Sequence, residues 1–373
     1  MRAVGVLVIV AWGAAAHRNG VHALAHAWDA AWYQDIAVHG YAHTLISPLP
    51  GHHHGKYTNL AFFPVYPLLI KAAHTVLFFL PVGAAALLVA WLSSLAAAAG
   101  ILSAVAARYG RRTALYTTLL WGAAPYAVVE SMAYSEPLFT AFAAWALWAL
   151  LRRRWLTAGV LAGLAGLTRP TGVAVAAAVI VAAGAHLYLS RRAGARPQSR
   201  PLSRPWPWRP VAAAALSPLG WVGFIVWTGA VLHRWDGYFR VQDLWGSKFD
   251  FGMETGHALR VMVTTPKELY LTTPVTACIL LGSVLLLVIG VIQRQPLPFL
   301  AYSAVLLLIS LGDAAHFASR DRFLLPGFPL MIPMAVALAK VRSRGSRAAV
   351  LAASAGASAL YGGYLVFVSL TAP

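Results

Sequence analysis

Long apolar runs recur along this chain, each closed by a short polar break: 3–24, 82–107, 113–129, 136–151, 155–168, 171–189, 211–232, 271–293, 296–311, 323–339 and 348–370. Runs of this kind predict membrane-crossing helices. The pattern therefore predicts an all-α polytopic membrane protein, a bundle of about 11 transmembrane helices, with the N-terminus inside and the C-terminus outside. Several runs are shorter than the roughly 20 residues of a perpendicular crossing, and only "TRPTG" separates 155–168 from 171–189. The opening "MRAVGVLVIVAWGAAAH" has the parts of a signal peptide, but the spans that follow make it an uncleaved first helix. The stretch 61–80 is apolar too, yet it carries Lys71 and His74 in its middle, which hydrocarbon disfavours. If it crossed, the arginines at 108–112 would land outside. It is expected to be an outer-surface or re-entrant helix, with twelve or thirteen spans as the alternative.

Charge fixes the sidedness. The chain carries 29 Lys and Arg against 11 Asp and Glu, a formal net charge of +18. Arg108/Arg111/Arg112, Arg152–Arg154, Arg191–Arg209 and Lys340–Arg347 form basic clusters that contain no acid. That asymmetry is what the positive-inside rule produces, so the basic loops face an anionic cytoplasmic leaflet and no nucleic-acid partner is implied. The acids then fall on the outer side, in a long first loop at 25–81 and a second at 233–270. The Pro/Arg-rich tract 191–210 reads as a cytoplasmic linker between an N-terminal catalytic module, 1–190, and a C-terminal module, 211–373. No internal repeat is evident, which weakens an inverted-repeat transporter. The single Cys278 supplies neither a disulfide nor a thiolate metal site. There is no Walker or Gly-rich phosphate loop. Heavy use of Ala, Arg and Gly points to a GC-rich bacterial genome, and so to the bacterial plasma membrane.

Within the first outer loop, "AHAWDAAWYQDIAVHGYAH" at 25–43 puts Asp29 at the mouth of the first span among Trp28, Trp32, Tyr33 and Tyr41. A carboxylate there is an interfacial acid in an aromatic belt, an ion-coupling site, or a general base for a hydroxyl. Other outer loops add "NLAFFPVYPLL" with Phe62 and Phe63, "ESMAYSEP" with Glu130, Tyr134 and Glu136, and "LTRPTG" with Arg169. "HRWDGYFRVQDLW" adds Arg234, Asp236 and Arg240, and "GDAAHFASRDRFLLPGFPL" adds Asp313, His316, Arg320 and Arg322. Aromatic rings suit the apolar faces of a sugar, and arginine forks suit a phosphate.

"WDAAWYQDIAVHGY", "AFFPVYPLL", "AYSEPLF", "LTRPTGV" and "SRDRFLLPGFPL" together resemble the PIG-V type of mannosyltransferase, in its bacterial branch. That family belongs to the GT-C superfamily of multi-span glycosyltransferases that use lipid-phosphate sugars. The resemblance runs in motif order over most of 20–335 and implies a polyprenyl-phosphate donor carrying mannose. It implies that Asp29 is the acid at the reaction centre, with Trp28, Tyr33, Gly40 and Tyr41 as its frame. Phe62, Phe63, Pro64, Glu136 and Arg169 match later motifs, and the arginine of the last outer loop is Arg320 or Arg322. Substrate contacts are expected from Trp28, Trp32, Tyr33, Asp35, Tyr41, Phe62, Phe63, Tyr134 and Glu136, and donor-phosphate contacts from Arg169, Arg320 and Arg322.

The chemistry is consistent with that resemblance. Nucleotide sugars are not expected outside the cytoplasm, and no Asp-x-Asp motif exists to hold a metal–nucleotide pair. A phosphate leaving group departs without a proton, so such an enzyme needs one base, not the carboxylate pair of a glycosidase, together with positive charge near the departing phosphate. No cofactor is expected, and the acceptor is a glycan, glycolipid or protein on the outer side, with membrane lipids around the spans. Blander roles stand beside these. Asp35 lies about 240° around a helix from Asp29, which suits a structural or acceptor contact. Arg169 before Pro170 can cap a helix and snorkel, and Glu136 before Pro137 suits a helix N-terminus. His52–His54 reads as a solvated loop, since consecutive histidines seldom converge on one ion. Asp236 reads as a loop ion pair. The alternative function is a transporter or flippase, which would place ionisable groups mid-bilayer and keep its outer loops short. Within enzymes, a protein O-mannosyl or aminoarabinose-type transferase of the same superfamily is the neighbouring choice.

Overall fold

The computed structural model describes residues 1–47, 49, 57–194, 207–265, 270–314 and 317–369. Among them the chain is helical throughout. It opens with α1 (Arg2–Ala15), α2 (Gly20–His26) and α3 (Asp29–His39), then α4 (Val65–Val76) and α5 (Val82–Trp121). Next come α6 (Glu136–Leu151), α7 (Trp155–Gly166), α8 (Val173–Gly194), α9 (Trp208–Leu216) and α10 (Leu219–Val231). The segment between α10 and α13 carries α11 (Gly237–Leu244) and α12 (Met253–Thr264). The chain closes with α13 (Thr272–Ile292), α14 (Leu297–Gly312), α15 (Asp321–Leu324), α16 (Ile332–Lys340) and α17 (Arg344–Phe367).

Among the described residues the expected count of about eleven crossings is not confirmed, and three apolar helices, α6, α7 and α14, are shorter than a full crossing. Five segments, 82–121, 170–192, 208–231, 272–292 and 344–367, are long and apolar enough to cross a membrane, and seven if two bent pairs count as spans. One is the first apolar run, which folds by 116° between α1 and α2; the other folds by 81° between 317–324 and 328–340. The break in the first has a local cause. The Asn19 side chain accepts from the His22 backbone N–H at 2.9 Å, starting a new helix where the old one would have continued. The expected span at 113–129 likewise stops at Trp121 and gives way to a 3₁₀ turn at Ala127–Ser131. Helix α4, from the ambiguous stretch 61–80, is not among the crossing candidates.

The basic clusters sit at helix junctions, as the charge pattern requires. Arg108, Arg111 and Arg112 flank Gly110, whose φ of 80° breaks α5, a conformation that glycine adopts at little cost. Arg152–Arg154 join α6 to α7, and Arg342 and Arg344 lie where α16 meets α17. Junctions that carry the candidate site residues, 26–29, 131–136 and 166–173, alternate with these along the chain.

Helix α6 is buried along most of its length, between α5 and α7. Ala97 and Ala104 of α5 and Ala143, Ala144, Ala146 and Ala149 of α6 are fully buried in one core. Small side chains let helix backbones approach closely where lipid offers no hydrophobic drive to association. The same core takes Ala213, Leu280, Phe299 and Phe328 from beyond the 191–210 linker. A second core surrounds α3, where Trp32, Tyr33 and Ile36 pack with Phe62, Tyr66, Tyr134 and Leu325. It fixes α3 and the turn at Phe62 against the bundle.

Candidate functional site

Helix α3 begins at Asp29. The turn before it places Trp28 at φ 51°, a left-handed conformation uncommon outside glycine and found where a site constrains the backbone. The Asp29 backbone N–H donates to the Tyr134 hydroxyl at 3.3 Å, and the carboxylate Oδ2 accepts from Arg322 Nη1 at 2.6 Å. Both side chains are largely buried but retain exposure, 12% for Asp29 and 14% for Arg322. The guanidinium lies between two rings, 5.9 Å from Tyr134 and 5.6 Å from Phe323.

A second pair stands beside the first. Arg169 Nη1 is 2.7 Å from Glu136 Oε1, but neither carboxylate oxygen of Glu136 has an aligned donor. The same nitrogen donates to Ser135 Oγ at 3.1 Å, and Ser135 shares a 2.6 Å hydrogen bond with the Tyr33 hydroxyl. Arg169 lies 5.9 Å from the Phe323 ring, so one phenylalanine contacts both cations. Burial, with the Glu136 and Asp29 charges adding to it, raises the Tyr33 phenol above its ordinary range despite Arg169. Burial and the Asp29 charge do the same for Tyr134. Both phenols therefore stay neutral hydrogen-bonding groups.

The site thus gathers Asp29, Tyr33, Tyr134, Glu136, Arg169 and Arg322 from four separate parts of the chain. The other expected residues fall around it. Trp32 stacks on Phe62 at 5.8 Å and meets Trp245 edge-on at 5.4 Å. Tyr41 donates to the Phe62 carbonyl at 2.7 Å, while Phe63 packs with Phe224 and Tyr238 in a separate cluster. Asp35 lies on another face of α3, held by Asn59 Nδ2 at 3.0 Å and beside His39 Nδ1 at 2.9 Å. Arg320 does not join Arg322: it is fully buried, donates to Thr255 Oγ1 and lies over Phe317. Ser135 and Phe323 were inside the quoted motifs but, carrying no charge, gave no signal of their own. Trp245 and Asn59 likewise emerge only from the packing.

Asp236 is the loop ion pair expected of it, at 2.9 Å from Arg234 and 3.0 Å from Arg240. The hydrogen bonds from Arg234 and Arg240 hold its carboxyl down at about 2. Glu130, by contrast, is buried beneath the site, and burial pushes its carboxyl up to about 8 against the pull of Arg2. His52–His54 and His316 lie outside the described residues. Among the described residues no cluster of three His, Cys, Asp or Glu could hold a metal ion.

Comparison with solved structures shows what the fold is similar to. ArnT from Cupriavidus metallidurans bound to undecaprenyl phosphate superposes with a TM-score of 0.55 at 15% identity, over 91% of this chain and 60% of ArnT. The apo state of the same protein gives a TM-score of 0.54, also at 15% identity and with the same coverage. The Archaeoglobus fulgidus oligosaccharyltransferase tethered with an acceptor peptide also matches, at 11% identity and a TM-score of 0.46, over 90% of this chain and 51% of its own. The chain thus shares the fold of ArnT and spans about 60% of its length. Residues 14–196, just under half of the chain, match the family described as Mannosyltransferase (PIG-V). That match bears out the resemblance read from the motifs over those residues. No curated protein matches the chain in sequence.

Proposed function

We infer that this protein is an integral membrane glycosyltransferase that moves a hexose, mannose by family, from a polyprenyl-phosphate donor to a hydroxyl of an extracytoplasmic acceptor. Its setting is the plasma membrane of a bacterium, with the site on the outer side. Asp29 takes the proton of the acceptor hydroxyl. The hydroxyl oxygen attacks the anomeric carbon from the face opposite the phosphate, and the bond from that carbon to the phosphate oxygen breaks with its electron pair. The product is inverted, and the lipid phosphate leaves without needing a proton. Arg322 and Arg169 hold the departing charge in a largely dry site, where fixed cations act strongly. Trp32, Phe62 and Trp245 form the aromatic wall against which a sugar packs.

One observation carries this reading: a carboxylate and a guanidinium from opposite ends of the chain meet at 2.6 Å in a partly open, aromatic-lined site. A base and a phosphate-binding cation are the two groups the transfer needs at one point. The test is incubation of the purified protein and of Asp29→Asn with labelled polyprenyl-phosphate mannose and polyprenyl-phosphate glucose, in the presence of membrane extract as acceptor source. Wild type consumes the mannose donor and the variant does not. Full transfer by a correctly folded Asp29→Asn protein sinks the assignment.

A further inference from the structure

We propose that Arg322 is a specificity-determining residue that exchanges partners, holding the Asp29 carboxylate in the empty site and turning to the donor's phosphate when a lipid-linked sugar binds. This rests on the glycosyl-transfer reading and adds an order to it. Asp29 becomes a base only after a phosphate has taken its guanidinium, so a donor without an anionic leaving group does not start the reaction.

The geometry supports each part of the exchange. At 2.6 Å from Arg322, Asp29 Oδ2 is taken up by a short charge-assisted bond and does not face an acceptor hydroxyl unopposed. Arg322 still has an unused donor, because its buried Nε has no partner. A guanidinium presents several donors in one plane and can meet a phosphate with two of them. The guanidinium lies 5.9 Å from the Tyr134 ring and 5.6 Å from the Phe323 ring, so a cation that shifts slightly between partners keeps an aromatic face beside it. Asp29 does not follow, since its backbone is tied to the Tyr134 hydroxyl at the start of α3.

Charge counting gives the exchange its direction. Asp29 with Arg322 and Glu136 with Arg169 make the empty site formally neutral. A phosphodiester brings one negative charge into it. That charge draws Arg322 away and leaves the Asp29 oxygen free to receive the acceptor's hydroxyl. The excess charge is relieved when Asp29 takes the acceptor's proton. Donor binding thereby prepares the base, and an acceptor bound alone meets a carboxylate already occupied.

The experiment measures binding of undecaprenyl phosphate, without sugar or acceptor, to the full-length protein in nanodiscs. Wild type, Asp29→Asn, Asp29→Ala, Arg322→Lys and Asp236→Asn are compared. Removing the competing carboxylate should tighten binding about tenfold in whichever Asp29 variant keeps the wild-type elution profile and melting temperature. Arg322→Lys should weaken binding, and Asp236→Asn, which removes an ionised carboxylate from an exposed ion pair, should leave it within about twofold, because that carboxylate does not occupy the guanidinium. Unchanged or weaker binding by the folded Asp29 variants overturns the proposal. So does equal tightening by Asp236→Asn, which would reduce the effect to general loss of negative charge. The result is separable from the functional reading, which depends on transfer by Asp29→Asn and not on its lipid affinity.

Discussion

Arg322 and Arg320 stand two positions apart and serve different parts of the molecule: Arg322 meets Asp29 at 2.6 Å, while Arg320 donates to Thr255 in α12. Two residues along a helix are roughly 200° apart, and the single turn of α15 begins where they diverge. Arg322→Ala should lower kcat/KM for transfer by about 10²–10³-fold, the usual cost of removing one charge-stabilising donor. Arg320→Ala should instead cost about 3 kcal/mol of stability by stripping a buried charge from its partners. Melting in detergent and transfer per folded molecule separate the two. A larger loss of turnover in folded Arg320→Ala than in Arg322→Ala reverses the assignment.

The positions of these arginines show where sequence reasoning stops. Apolar runs located α8, α13 and α17, because buried or lipid-facing helices must be apolar whatever their neighbours. Basic clusters located the junctions at 108–112, 152–154 and 340–347, because their cost in hydrocarbon is independent of detail. Span lengths were not legible: the bend between α1 and α2 depends on one side chain, Asn19, capping the next helix. The motifs held every charged member of the site, since Asp29, Glu136, Arg169 and Arg322 all lie in quoted stretches. Which of "SRDR" faces Asp29 was open, because that depends on how a one-turn helix docks. Ser135 and Phe323 were invisible for the opposite reason, being neutral residues whose importance lies only in what they touch.

Asp35 illustrates the same limit and gives a second prediction. Its Oδ2 accepts from Asn59 Nδ2, which also donates to the Gly40 carbonyl, while Asn59 Oδ1 accepts from the Ala42 N–H. Asn59 is thus the tie between the end of α3 and the returning loop. Asn59→Ala should destabilise the protein by about 2 kcal/mol, leaving buried polar groups unpaired. Asp35→Asn, which keeps the shape, should hold transfer within about threefold of wild type. A loss of transfer by Asp35→Asn comparable with that of Asp29→Asn would return Asp35 to the substrate.

Helix packing behind the site gives a third. A Cβ on Gly220 of α10 would run into the Gly163 carbonyl oxygen of α7, a backbone atom that cannot move aside. Arg169 lies three residues beyond the end of α7, so separating these helices also displaces the Glu136–Arg169 pair. Gly220→Ala should therefore cost about 1–3 kcal/mol and reduce transfer even at temperatures where the protein stays folded. A variant with wild-type melting and wild-type transfer would show that α7 and α10 do not need this close approach.

Glu130 sets the expected pH dependence. It is 1% exposed, both carboxylate oxygens lack partners, and its proton affinity is raised to about 8 from the ordinary 4.5. A carboxyl raised in the folded state binds its proton more tightly there than in the unfolded chain. Its stabilising contribution is complete below pH 4.5, declines as pH rises, and is lost once pH passes about 8. Glu130→Gln carries a permanent neutral group in the same place and removes that decline. The stability of wild type relative to Glu130→Gln, measured by melting at matched pH values, should fall by on the order of a few kcal/mol between pH 5 and 9. The fall should flatten above that range, where the wild-type group is ionised in both states. A difference that stays constant across the range would mean that the Arg2 charge holds Glu130 ionised throughout, and that the proton is not retained at this buried position.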